Sequence, residues 1–339
     1  MTAPPTVSAR GLSTQRQVDA LNVSAKLFTK EAIHRTPIAT GITVEYALHS
    51  TTSNGADAAD ATLSEERVLL IMGFLQAKES WGAVIDTLLE KWRVADGQPK
   101  RVTIASFDNR GVGGSDAPWW RYTTDQMASD ALALMDHLGW DSAHVAGISM
   151  GGMISLELAA SAPKRVRSLT LMVTTRGKYE QDPRSDKPLK GSTFAKEPAE
   201  VAKHTLDLLY PAVFLDNKMA DSDATVRDVL FAFHTEKAKT RKKPSIAGLV
   251  GQLLACRTHY VSDERLAAIN TAGFPVLLVG SVLDILIPPA ESLTLHKHLS
   301  GSHVETLFFD TGGHGVTVQF VDEIVDGVIK TIQRAQAQN

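Results

Sequence analysis

From residue 35 onward the chain alternates between two hydrophobic spacings. Residues 42–48 alternate apolar and polar, as a half-buried strand does. Residues 67–71, 102–107, 144–148, 166–174, 274–279 and 304–309 are nearly continuous apolar runs of strand length. Helical spacing fills the gaps between them. In residues 79–92 the side chains Trp81, Val84, Ile85, Leu88, Leu89 and Trp92 fall on one face. Thr124 reads as the N-cap of a helix with Met127, Ala131, Leu134, Met135 and Leu138 inward and Gly139 just beyond its end. Ile154, Leu158 and Ala159 mark another helix, stopped before Pro163. Repeated β–α alternation predicts an α/β fold, a mostly parallel, doubly wound sheet with helices on both faces.

The alternation breaks between residues 176 and 270, where charge rises and helical patterns such as 201–209 and 225–233 replace strand runs. An insertion that long inside a compact domain is usually functional, and a helical cap, or lid, is expected here. The expected organisation is an N-terminal extension at 1–34, a discontinuous core at 35–175 and 271–339, and the cap at 176–270. The first 34 residues are mostly polar, and up to Val18 they carry Arg10 and Arg16 but no acid. A loosely ordered extension fits that composition best, and a mitochondrial targeting segment is the alternative. No apolar segment of the secretory kind is present, so the cytoplasm is the expected compartment.

Composition narrows the function classes. The chain has 339 residues, 43% hydrophobic and 22% charged, with 35 Lys plus Arg against 38 Asp plus Glu. A net charge of −3 leaves no electrostatic footprint for nucleic acid. The single cysteine, Cys256, supports neither an internal disulfide nor a thiolate cluster, and reads as a small buried hydrophobe. No apolar run is long enough for a membrane span. The near-neutral balance fits an enzyme acting on an uncharged small molecule.

The chemistry concentrates in three loops. Gly147-Ile148-Ser149-Met150-Gly151 directly follows an expected strand and directly precedes an expected helix. A G-x-S-x-G string alone arises in about one chain in ten of this length. The strand–turn–helix setting is what a nucleophile elbow requires, with small residues on either side of a strained serine. A serine hydroxyl needs a base within reach, and here acid and histidine should follow the serine in chain order, each after a later strand. Asp284 comes four residues after Pro275-Val276-Leu277-Leu278-Val279-Gly280, and His314 sits in Gly312-Gly313-His314-Gly315 after the last strand. Backbone donors for a developing oxyanion are expected at Met150, at the helix start, and at Phe74 in Met72-Gly73-Phe74-Leu75.

Phe107-Asp108-Asn109-Arg110-Gly111-Val112-Gly113-Gly114-Ser115-Asp116 resembles the D-x-R-G-x-G-x-S segment of the α/β-hydrolase superfamily. With the elbow, Asp284 and His314, the resemblance runs from about residue 40 to 335 apart from the insertion. Within the superfamily it is similar to fold-1 serine hydrolases, including methylesterase-like and aminoacrylate-hydrolase-like members. The family often carries His-Gly where this chain has Met72-Gly73, which removes a side chain that orients the loop but leaves the backbone donor. The resemblance implies a serine hydrolase that needs no metal or organic cofactor.

In that reading Ser149 attacks, His314 takes the proton and Asp284 orients the imidazole. A carboxylic ester of a small or medium apolar molecule is the expected substrate. C–C bond hydrolysis and cofactor-free haloperoxidase chemistry are alternatives on the same residues, as is a slow-turnover receptor. Oligomeric state is not legible.

Other signals read as structural. Arg110 is expected to tie loops together through a buried ion pair. A dinucleotide fingerprint at Gly111-Val112-Gly113 would need glycine where Asp116 stands. His296 and His298 diverge on a helix and cannot share a metal. Lys237, Lys239, Arg241, Lys242 and Lys243 read as a solvated cap surface, with attraction for anionic substrates or a membrane surface as the alternative. Tyr210, Phe214, Phe231 and Phe233 read mostly as cap core, and Trp119 and Trp120 as packing under the cap or flanking the site.

Overall fold

The computed structural model describes residues 4–57, 60, 62–94, 100–119 and 121–337. Nine strands among them form one sheet: β1 (Thr6–Val7), β2 (Ile33–Pro37), β3 (Thr43–Thr52), β4 (Ser64–Ile71), β5 (Lys100–Phe107), β6 (Ala143–Ile148), β7 (Val166–Met172), β8 (Val276–Ser281) and β9 (Val304–Phe309). Their spatial order is β1-β9-β8-β7-β6-β4-β5-β3-β2. All neighbours pair in parallel except at β3, which runs antiparallel to both β2 and β5. The chain leaves β4 towards β5, returns to β6 on the other side of β4, and proceeds outward to β7. Strand order therefore reverses between β4 and β6. Open α/β sheets bind ligands beyond the carboxyl ends of the strands at such a switch point.

Strand alternation divides the core in two. Val68, Leu70, Val102 and Ile104 point to one face, with Val84, Ile85 and Leu88 of helix Gly82–Arg93 and Ile324, Val325 and Val328 of helix Val321–Gln336. Leu69, Ile71, Ala105 and Phe107 point to the other, with Met127, Ala131 and Leu134 of helix Thr124–His137 and Ile154 and Leu158 of helix Met150–Ser161. The first of these helices starts one residue earlier than its apolar pattern suggests. Thr123 is the cap, accepting from the Gln126 N–H, and Thr124 is the first helical residue. The run at 274–279 is also shifted, because Phe274 and Pro275 precede the ladder of β8.

Between β7 and β8 the described chain is helical, apart from two isolated bridges. Helices Pro198–Leu209, Val226–Thr240 and Ile246–Thr258 overlie the carboxyl edge of the sheet, touching the Gly313–Gly315, Ser80 and Gly111 loops respectively. Helix Asp263–Ala272 buries Leu266 and Ile269 in the core beside helix Met150–Ser161. Among the described residues no helix is long and apolar enough to cross a membrane.

The leading segment departs from the expectation of loose order. Thr6 and Val7 extend the sheet beyond β9, paired with Phe308 and Phe309. Helix Gln15–Leu21 opens with a capping box between Thr14 and Gln17, and Leu12, Ala20 and Leu21 are buried. Gln17 Nε2 donates to Asp322 Oδ2 at 2.9 Å, and Arg16 pairs with the same carboxylate at 2.5 Å. The apolar residues here are too few to show a period, and the contacts that order them come from distant residues: 308–322, helix Gly82–Arg93 and Ala220 of the insertion.

Candidate active site

Ser149 is the one residue between β6 and helix Met150–Ser161, and it sits at φ +55°, ψ −123°. A non-glycine residue there is strained, and the surroundings fix it. Its N–H donates to Met172 O at 2.9 Å, while its carbonyl accepts from Gly152 N at 2.9 Å and Thr174 Oγ1 at 2.7 Å. The flanking glycines are dictated by contact. A Cβ on Gly147 would lie 2.3 Å from Gly151 O, and one on Gly151 would lie 1.9 Å from Ile71 O. The serine side chain is thereby raised at the carboxyl edge of the sheet and stays half-buried.

Asp284 and His314 follow β8 and β9 at the same edge. His314 Nδ1 lies 2.7 Å from Asp284 Oδ2, and both side chains are buried. Asp284 Oδ1 accepts from the Leu286 and Ile287 N–H groups at 2.8 and 3.0 Å, so the carboxylate is aimed by its own turn. The histidine loop is fixed on two sides. Gly313 N donates to Gln319 Oε1 at 2.8 Å, and Gly315 N donates to Leu209 O, from the cap, at 3.0 Å. The structure thus joins the expected acid and base. Among the described residues the Ser149 hydroxyl has no hydrogen-bond partner, and neither has His314 Nε2. Such contacts are often long before substrate binds and tighten in the complex.

The loop after β4 comes up beside the serine, since a Cβ on Gly73 would stand 3.2 Å from Ser149 Cβ. Neither the Phe74 nor the Met150 N–H donates to a backbone acceptor among the described residues. Gln252, fully buried on helix Ile246–Thr258, holds this loop. Its Oε1 accepts from Leu75 N at 2.8 Å while its Nε2 donates to Arg110 O at 2.9 Å. Leu75 itself takes φ +54°. Below, Asn109 Nδ2 donates to Met72 O at 2.8 Å.

Arg110 makes the expected buried ion pair, with two 2.6 Å bonds to Asp130. Lys78 lies 3.1 Å from Asp108 and 2.6 Å from Glu45. Burial opposes its charge, but the carboxylates of Asp108, Glu45 and Glu79 outweigh that and raise its pKa above the usual lysine value. Gln252 and Lys78 carry no sequence signal, because each is defined by partners far along the chain.

Other expectations separate here. Tyr210 and Phe214 are buried as cap core, while Phe231 and Trp119 are exposed. Trp120 lies outside the described residues. Cys256 is only partly buried, and burial pushes its thiol up to about 12. The basic cluster is not uniformly solvated. Lys242 donates to Gly113 O at 2.8 Å, and Lys237 turns inward to Ser80 Oγ at 2.8 Å. Among the described residues no group of three His, Cys, Asp or Glu could hold a metal ion.

A family profile for the alpha/beta hydrolase fold matches residues 66–319. A Caulobacter segnis protein provisionally named a carbamate hydrolase, RutD, is 28% identical over 278 residues, 80% of this chain and 92% of that one. A Mycobacterium tuberculosis protein provisionally named a non-heme bromoperoxidase, BpoC, is 32% identical over 191 residues, 54% of this chain and 66% of that one. Among solved structures, a thermophilic esterase from Thermogutta terrifontis superposes with TM-score 0.65 at 17% identity, covering 89% of this chain and 98% of that one. The enol-lactonase from Burkholderia xenovorans gives TM-score 0.64 at 19% identity, covering 88% and 100%. At such identities these superpositions speak for the fold.

Proposed function

The chain belongs to the α/β-hydrolase-fold family, and from that premise we propose that it is a serine hydrolase cleaving a carboxylic ester, or a related acyl bond, of a small or medium substrate with an apolar body. The observation that carries this reading is the strained Ser149 at the switch point of a sheet whose same edge holds the His314–Asp284 pair. In the proposed cycle Ser149 Oγ bonds to the carbonyl carbon as His314 Nε2 accepts its proton. Asp284 holds Nδ1–H, fixing the tautomer and stabilising the cation. The Phe74 and Met150 N–H groups, free of backbone acceptors, receive the oxyanion. His314 then protonates the leaving alcohol, and water, deprotonated by the same imidazole, releases the acid and restores Ser149.

The test is turnover of p-nitrophenyl acetate and butyrate by the wild type and Ser149→Ala, with fluorophosphonate labelling. The variant is expected to lose activity by about 10⁴-fold or more, and the probe to label Ser149. Full activity in Ser149→Ala would remove the proposal. A stoichiometric burst without sustained release would favour a receptor. One observation favours haloperoxidase chemistry on the same residues, the relative named a bromoperoxidase. Peroxide-dependent bromination outpacing ester hydrolysis would select that reading.

A further inference from the structure

Lys237 occupies the inward stripe of the cap helix Val226–Thr240, in line with the buried Val226, Leu230 and His234. One turn earlier, His234 Nε2 lies 2.9 Å from the Tyr210 hydroxyl. The Tyr210 ring leaves no room for a side chain at Gly315, where a Cβ would meet its Cε1 at 2.3 Å. This end of the stripe therefore touches the loop of His314. At the other end, Lys237 Nζ donates to Ser80 Oγ at 2.8 Å, in the short helix Lys78–Trp81 that continues the Phe74 loop. A helix advances about 5.4 Å per turn, so the stripe spans from the histidine loop to the oxyanion loop. Lys237 thus stands on the cap beside the loop whose Gly73 packs against Ser149.

The ammonium is incompletely satisfied there. It has three N–H donors, and Ser80 takes one. The Ser80 hydroxyl itself donates to Gln76 Oε1 at 3.2 Å. Among the described residues no carboxylate lies within 4.0 Å of Lys237 Nζ. Glu79 acts on it from further away and is bonded at 2.9 Å to Lys78. The Phe233 ring, 5.9 Å away, adds an apolar wall with weak attraction for the charge. Lys237 remains partly accessible, yet burial holds its pKa down to about 8.

We propose that Lys237 Nζ is an anion subsite of the active centre, and that the preferred substrates are acyl compounds carrying a free carboxylate away from the scissile bond. This rests on the serine-hydrolase reading and departs from the expectation of an uncharged substrate. The apolar body would lie against Phe233, and the carboxylate would take the two vacant N–H donors.

The discriminating quantity is a ratio of kcat/KM values, carboxylate-bearing ester over neutral ester. Suitable probes are mono-4-nitrophenyl glutarate and 4-acetoxybenzoate, with the charge on the acyl and alcohol sides, each against its uncharged counterpart. K237M and K237Q are expected to lower the ratio about thirtyfold for at least one pair, the effect of a charge-assisted hydrogen bond. K237R, which keeps the charge, should retain most of it. In the wild type the ratio should fall as pH rises through about 8, where the ammonium deprotonates. Glu79 opposes that loss, Arg241 promotes it, and His234, held down to about 3 by burial, contributes no charge.

Ratios unchanged in both neutral variants would overturn the subsite, even if absolute rates fell, because a merely structural lysine would slow both esters alike. A second arm is independent of turnover. Glutarate should raise the melting temperature of Ser149→Ala but not of Ser149→Ala with K237M. If that holds while no ester is hydrolysed by the wild type, the subsite stands and the hydrolase reading falls. If glutarate stabilises both proteins equally, the subsite falls.

Discussion

Ser149 illustrates how a strained position is built from its neighbours. Its φ of +55° costs of order 1–3 kcal/mol, and bonds to β7 and to the first helical turn hold it there. Its proposed partners are ordered with equal care. Asp284 spends one oxygen on two backbone N–H groups and leaves the other for His314. Asp284→Asn should keep the fold, because an amide oxygen still serves Leu286 and Ile287. Its NH₂ would face Nδ1 and favour the wrong tautomer, so kcat should fall by about 10⁴. Ester turnover together with an unchanged circular-dichroism melt checks this. The strand-end position of all three residues was readable in advance, because each follows an apolar run of strand length in a fixed chain order.

Element by element, what repeats locally was legible and what depends on distant partners was not. The strands and core helices announce themselves through periods of two and 3.6 residues. The brace on the loop after β4 does not, since Gln252 is a lone glutamine amid the apolar residues that lead its helix. Its two bonds nonetheless join the cap to the loops after β4 and β5. Gln252→Ala would leave the Leu75 N–H and Arg110 carbonyl unpaired in the interior, at about 1–3 kcal/mol each. Stability should drop accordingly in urea titrations. Because the loop carries the Phe74 donor, kcat should fall roughly ten- to a hundredfold, with KM much less affected. A drop in stability with kcat intact would show that the loop holds its shape without the cap.

Across the whole molecule, interior histidines make the fold acid-sensitive. Burial lowers the pKa of His234 to about 3 and of His259 to about 4. In the unfolded chain both titrate near 6.5. Above that value neither state binds a proton, and the stability is complete. As pH falls below it the unfolded chain gains protons that the folded one refuses, so stability declines by about 1.4 kcal/mol per pH unit for each histidine. The decline ends only near pH 4 for His259 and pH 3 for His234. The melting temperature should therefore drop steadily from pH 6.5 to pH 5, and His234→Gln should flatten the slope. An identical slope in the variant would show that other groups drive it. Neither burial was visible in composition, because His259 is held by Thr124 and Thr175 of the core and His234 by Tyr210, 24 residues earlier in the insertion.

The short strand beside β9 has a consequence in time. Thr6 leaves the ribosome before its partner Phe308, which follows roughly 15–60 s later, at about 5–20 residues per second. Leu12 likewise waits for the carbonyl of Gln319, the residue whose side chain holds the Gly313 N–H. Contacts so far apart along the chain close slowly. The sheet edge and the histidine loop are therefore expected to set together, after the segments between them. A nascent chain carries Ser149 well before it has His314, so under the proposed mechanism it is inert until that residue has been made.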